Sequence, residues 1–151
     1  MSAYVMFYLR DDKTSHWIEL NSWSRSCEMY QTVSQFVDFE QWKEIDLSML
    51  RTLQTEIADK MASAKNWIAK NREDLEFIMK TKCSLREIME EKASIDESIA
   101  EWEDSLRELE SAKQDLEVYE SIMINSQYSD NQIHIAIAHE CDPNDDAAED
   151  D

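Results

Sequence analysis

The sequence predicts an α+β protein: a small antiparallel sheet of about three strands drawn from both chain ends, a short helix, a long antiparallel helical hairpin, and a disordered acidic C-terminal tail. Three observations predict it. Both ends of the chain alternate with a period of two, apolar residues between them recur at threes and fours, and acidic charge gathers late in the chain. Residues 1–85 hold 13 acidic against 11 basic residues, 86–120 hold 13 against 4, 121–139 hold 1 against 0 and 140–151 hold 7 against 0. The net charge of −19 is therefore carried mainly by one helix and the tail.

Residues 3–9 place Tyr4, Met6 and Tyr8 on one side and Val5, Phe7 and Leu9 on the other, apolar on both, as in a strand covered on two faces. A polar loop over 10–15 leads to a second strand over 16–23, giving a hairpin. Ser24 or Ser26 is placed to cap a short helix through Met29, Tyr30, Val33, Phe36 and Val37. Nine aromatics fall within the first 42 residues, so the core is expected here, with this helix on the sheet. Residues 125–131 read as the loop returning to a last strand over 132–139, which places the first strand in the middle of the sheet.

Asp46 reads as an N-cap, with Ile45 and Leu50 as a hydrophobic staple. From Leu47 one heptad-like series runs through Leu50, Ile57, Met61, Ala64, Ile68, Leu75, Ile78, Leu85 and Met89. A second runs through Ile88, Ile95, Ile99, Trp102, Leu106, Leu109, Leu116, Tyr119 and Met123 in a different register, so a turn falls between 81 and 95. Two capping boxes compete for it, Ser84 with Glu87 and Ser94 with Glu97. The hairpin of about 46–124 is longer than a compact base needs, so part of it should project. Lys60, Lys65, Lys70, Arg72, Lys80 and Lys82 are placed to face acids of the second helix. The domain reading is one α+β unit over 1–139 and the tail over 140–151.

Composition excludes much chemistry. The chain has no glycine, where average usage would supply about ten, and one proline, Pro143. Phosphate-binding loops, dinucleotide fingerprints, nucleophile elbows and EF-hand loops all need glycine where a Cβ would clash. Cys27, Cys83 and Cys141 are odd in number and widely spaced, and no charged-then-apolar leader precedes them. No run approaches the roughly 20 apolar residues of a membrane span. A reducing cytoplasm is the expected compartment.

The charged helix also has a pattern. Glu97, Glu101, Asp104, Glu108 and Asp115 fall on one line, opposite Ile95, Ile99, Trp102, Leu106 and Leu109, as a stripe about 27 Å long. This is a candidate partner-binding face, and equally the solvated outer face of a coiled coil. Thirteen acids over 35 helical residues give one charge per about 4 Å, against one per roughly 1.7 Å in duplex DNA, so any imitation of DNA is partial. Trp67, one position before the seam residue Ile68, is a candidate anchor. His16, His134, His139 and Cys141 are ligand types zinc accepts, but the paired spacings of a structural site are missing, and so are the Glu-x-x-His pairs of a di-iron bundle. Tyr4, Tyr8, Trp17 and Trp23 could stack bases, but only Arg10, Lys13 and Arg25 lie near them, so direct nucleic-acid binding is not expected. No metal, cofactor or catalytic residue is assigned, and a non-enzyme is expected.

In size, acidity and lack of a catalytic signature the chain resembles the small proteins with which phages inactivate host enzymes, anti-CRISPR proteins and DNA mimics among them. The likeness is one of whole-chain composition and rests on no motif. It implies an inhibitor or adaptor that binds the basic surface of a nucleic-acid-binding enzyme, without membrane or cofactor. The alternative expectation is a coiled-coil structural or assembly protein that self-associates through its hairpin, as a homodimer or within a larger particle.

Overall fold

The computed structural model describes residues 4–81 and 84–145. Its elements follow one another as β1 (Tyr4–Asp11), β2 (Ile18–Ser24), α1 (Glu28–Val33), β3 (Trp42–Ile45), α2 (Leu47–Thr81), α3 (Leu85–Ser126) and β4 (Ile133–His139). The strands form one antiparallel sheet in the order β2-β1-β4-β3, so β1 lies inside it, between the hairpin strand and the last strand. The sequence led to three strands. The fourth, β3, has only four residues, too few to show a period of two, and pairs with β4 from Trp42↔Ala138 to Ile45↔Ile135.

The two apolar faces of β1 are both covered. Val5 and Phe7, with Ile135 and Ile137 of β4, enter the main core beneath Met29 and Val33 of α1, Leu50, Leu53 and Ile57 of α2, and Leu109 and Leu116 of α3. On the reverse face Tyr8, Ala136 and Ala138 lie under Trp17, with Met6, Trp42 and Cys141 around them. Burial pushes the Tyr8 phenol well above its usual pKa, with Asp142 and Glu19 adding to the shift. In the β1–β2 register, Met6↔Ser22 and Tyr8↔Glu19 leave an extra residue in β2. That bulge lets Leu20 and Trp23, an odd number of positions apart, both reach the helix side of the sheet. With no glycine in the chain, the left-handed positions among the described residues fall to glutamates, Glu40 (φ 62°) and Glu140 (φ 57°), both at the same end of the antiparallel β3–β4 pairing.

The helical hairpin starts where its cap dictates. The Asp46 carboxylate accepts from the Met49 amide at 2.8 Å and its carbonyl from the Leu50 amide at 3.1 Å, while Ile45 and Leu50 are both buried in the core. Of the two competing turns the first is used: Ser84 is the N-cap of α3, its hydroxyl accepting from the Glu87 amide at 3.5 Å. Neither Ser24 nor Ser26 caps α1. Its N-cap is Cys27, with no side-chain cap bond. Of the basic residues expected to reach across the seam, Arg72 meets Glu103 at 3.2 Å, whereas Lys60 turns to Glu28 of α1 and Lys80 pairs within its own helix with Glu76. Lys82 lies outside the described residues.

Burial divides the hairpin. On α2 the last buried residue is Ile68 and on α3 the first is Leu109, and no described residue from 69 to 108 is buried. The proximal turns belong to the core, and the distal half forms a two-helix arm. After β4 the chain does not leave the surface at 140, where the tail was placed. Pro143 is buried, and the Asn144 side chain accepts from the Trp17 amide at 2.6 Å and donates to the Trp17 carbonyl at 2.9 Å, tying 140–145 to the reverse face of the sheet. The asparagine completes the backbone bonds of an edge residue as a strand neighbour would. The rest of the tail, 146–151, lies outside the described residues.

Candidate functional site

The line of five acids does not stay on one side of the fold. Glu97, Glu101 and Asp104, on the arm, are exposed. Glu101 and Glu97 carry no hydrogen bond or ion pair among the described residues, and Asp104 meets Arg107 in an open surface pair at 3.2 Å. Glu108 and Asp115, on the same line, are half-buried and engaged. The Glu108 carboxylate accepts from the Glu28 amide at 3.0 Å, taking the place of the missing side-chain cap of α1, and Asp115 accepts from the Asn21 amide group of β2 at 2.5 Å. The reason is a rotation of the buried face. Ile95, Ile99, Trp102 and Leu106 are only half-buried along the seam with α2, but from Leu109 onward the buried positions are Leu109, Ala112, Leu116 and Tyr119, which bring α3 down on the sheet and α1. A direction that faces water in the arm faces protein in the base.

Trp67 is 44% exposed and lies parallel to Trp102 of α3, with ring centroids 6.1 Å apart and planes 7° from parallel. The Lys70 ammonium sits 5.0 Å from the Trp67 ring centroid. The stack spans the seam at the root of the arm, one residue from Glu101. Trp102 also lines a shallow depression of about 150 Å³ with Glu28, Lys60, Ala64 and Leu109, and a second depression of about 270 Å³ is lined by Ile68, Ala69, Arg72, Glu103 and Leu106. Asn71 donates to the Ser98 hydroxyl at 3.1 Å just beyond the stack. Glu97, Glu101 and Asp104 thus lie on the arm with Trp67 at its root, and Glu108 and Asp115 belong to the base.

The histidines take separate places. His134 and His139, five positions apart on β4, point to opposite faces of the sheet. His139 Nδ1 donates to the Val37 carbonyl at 3.2 Å, which leaves Nε2 to accept from the Tyr30 hydroxyl at 2.7 Å. His134 is held between two carboxylates, Asp12 at 2.6 Å on Nε2 and Glu44 on Nδ1. The hydrogen bond that His134 donates to Asp12 raises the His134 pKa against a smaller opposing effect of burial, the bond to Glu44 adds to the rise, and the same bond from His134 lowers the pKa of Asp12. His16 is exposed, and Cys141 packs behind the sheet. Among the described residues no three His, Cys, Asp or Glu side chains converge as a metal site. Cys83 lies outside them.

The clamp around His134 and the cap from Glu108 had no signal in the sequence, because each joins residues far apart in the chain. The apolar surface of the arm did have one: Phe77, Met79 and Met89 lie in or beside the seam series without a helix assigned to cover them. No described helix is long and apolar enough to cross a membrane. Comparison with protein-family models, with curated proteins and with solved structures gives no match.

Proposed function

We propose that this chain is a non-enzymatic protein-binding protein whose arm presents Glu97, Glu101 and Asp104, beside the half-exposed Trp67, to the basic nucleic-acid-binding surface of another protein. Such a contact blocks that surface, the action of a phage-type inhibitor of a host enzyme. The observation that carries the reading is that Glu97 and Glu101 are exposed and unpaired among the described residues, while other acids of the same helix are used up inside the fold. Exposed carboxylates of one sign steer a basic partner, and a large flat side chain next to them supplies apolar area at the centre of the contact. With Glu108 and Asp115 spent in the base, the free face is shorter than the full stripe, so it fits a basic patch rather than the length of a DNA groove.

The test is a pull-down from bacterial lysate at about 50 and 300 mM salt, which changes the screening length about 2.4-fold, with and without added duplex DNA. A nucleic-acid enzyme retained at low salt, displaced by DNA, and lost with the variant Glu97→Lys/Glu101→Lys/Asp104→Lys is the expected result. Equal retention by the charge-reversed protein would refute the reading.

A further inference from the structure

Two separate faces run along the arm, and the second differs in kind from the acidic one. It is the flank on which Arg72 pairs with Glu103. Met79 lies seven residues beyond Arg72, two turns along the same side of α2. Leu85 lies eighteen residues before Glu103, five full turns back on the same side of α3, and Met89 is one turn from Leu85. These three side chains at the distal end are 56%, 74% and 60% exposed. The charges sharing the flank are already matched, Arg72 with Glu103 and Lys92 with Asp96 at 2.6 Å. An apolar patch inside a rim of satisfied pairs has the layout of an interface. The acidic face, Glu97 to Asp104, lies roughly 100–160° further round α3 by helical spacing.

We infer that two copies of this chain pair arm end to arm end through this flank, burying Met79, Leu85 and Met89 between them. Charge selects a second copy as the occupant. Residues 70–96 hold six basic and seven acidic residues, a net of −1, whereas 97–151 hold two basic and 17 acidic, a net of −15. Residues 1–69 are also near neutral, with a net of −3, but the distal arm is the near-neutral part that carries the exposed Met79, Leu85 and Met89, so two chains of net charge −19 can approach there with little repulsion. From Met79 back to Ile57 in the core is about 33 Å of helix, several Debye lengths, so paired ends hold the two acidic bases out of each other's field. The shape is self-complementary as well, since two helical hairpins laid flank to flank make four helices around a shared apolar strip. An overlap of about 20 Å between surfaces roughly 20 Å wide buries on the order of 400 Å² per copy. That is about half of a standard stable interface, so the pair is reversible, with dissociation in the micromolar range.

This inference does not rest on the acidic-face reading, and salt separates the two. Docking of Glu97, Glu101 and Asp104 on a basic partner weakens as salt rises, whereas pairing of the neutral ends holds or strengthens as the bases are screened. The experiment is sedimentation equilibrium of the full chain from about 1 to 200 µM, bracketing that range, at low and high salt. The expected mass rises from 17.8 kDa towards twice that value. Leu85→Glu/Met89→Glu should weaken the pairing about tenfold or more with unchanged helicity, because both side chains are exposed in the monomer. Phe77→Glu is the control. Phe77 is 66% exposed but lies about 140° round α2 from Arg72, so its substitution should leave the mass curve in place. Carbodiimide cross-linking of mixed light and heavy protein gives a second readout, with Lys80 expected to join a carboxylate of the other copy. A monomer at every concentration overturns the inference, as does a dimer that survives Leu85→Glu/Met89→Glu or is lost with Phe77→Glu. A monomer that binds uncharged phosphatidylcholine vesicles would instead assign the arm end to a lipid surface.

Discussion

The base and the arm are built from the same two helices, yet they solve different problems. In the base, α2 and α3 have the sheet and α1 to pack on, and Leu50, Ile57 and Leu116 lose all contact with water. In the arm each helix has mainly the other, and Leu75, Ile78, Ile88, Ile95 and Ile99 reach only half-burial. A two-helix layer covers one stripe per helix and no more. The difference shows that apolar spacing along a helix records a wish for a neighbour, not the presence of one.

The comparison breaks most visibly under truncation. Leu116→Ala, which leaves a cavity among side chains of the sheet and two helices, is expected to cost about 3 kcal/mol, and Leu85→Ala, at the arm end, less than about 0.5 kcal/mol in the monomer. Urea unfolding of both at a concentration well below pairing would measure the gap. Equal losses would mean that the arm is as cooperative with the core as the base is, contrary to its burial.

A second test separates acids of equal charge on one helix. Glu108→Ala removes the carboxylate that serves the open N-terminus of α1, and by analogy with lost caps should cost about 1–2 kcal/mol. Glu101→Ala should stay within about 0.5 kcal/mol, since the side chain is exposed and unpaired among the described residues. Binding should respond in the opposite order, with Glu101 mattering and Glu108 not. If both substitutions act alike on stability, the cap is not formed in solution.

Much of this architecture was legible in the sequence, and particular residues show where legibility stops. The two-sided apolar pattern of 4–9, the Asp46 cap with its Ile45–Leu50 staple, and the register change that demanded a turn all act over a few residues, so spacing alone reveals them. The choice of Ser84 over Ser94 did not follow from pattern, because both satisfy the same local chemistry. The four-residue strand β3 was hidden for want of length. The split of the acidic line was hidden for a different reason: a helical wheel drawn on α3 assumes one buried direction, and this helix turns its buried face between Leu106 and Leu109 as its neighbours change. The docking of Asn144 on Trp17 joins opposite ends of the chain and leaves no trace in composition.

At the junction of the two regions the Trp67–Trp102 stack should be worth about 1 kcal/mol, lost in Trp67→Ala. Two indoles held 6.1 Å apart and nearly parallel couple in the near and far ultraviolet, so the variant should lose an exciton feature in circular dichroism that Trp23→Phe retains. A spectrum without that feature in the unmodified chain would place the two rings apart, and with them the anchor next to Glu101.

The smallest expected effect lies in the base, where charge has been brought into the sheet rather than left on the arm. His134 bridges Asp12 and Glu44, which ties the turn after β1 to the edge strand β3 through β4. Its pKa in the fold is raised, so it binds its proton more tightly there than in the unfolded chain. The stabilisation is fully present below the unfolded histidine value of about 6.5 and is lost as pH rises through the raised folded value. Asp12 sets the other limit, since its lowered pKa keeps it ionised until the pH falls through that value. Unfolding measured on either side of neutrality should therefore show a modest loss on the alkaline side that His134→Gln abolishes, and an NMR titration of His134 should give a midpoint above the ordinary histidine value. Substitutions on the arm, far from this bridge, should leave that midpoint where it is; a shift caused by Glu101→Lys would mean that arm and base share a field that the geometry keeps apart.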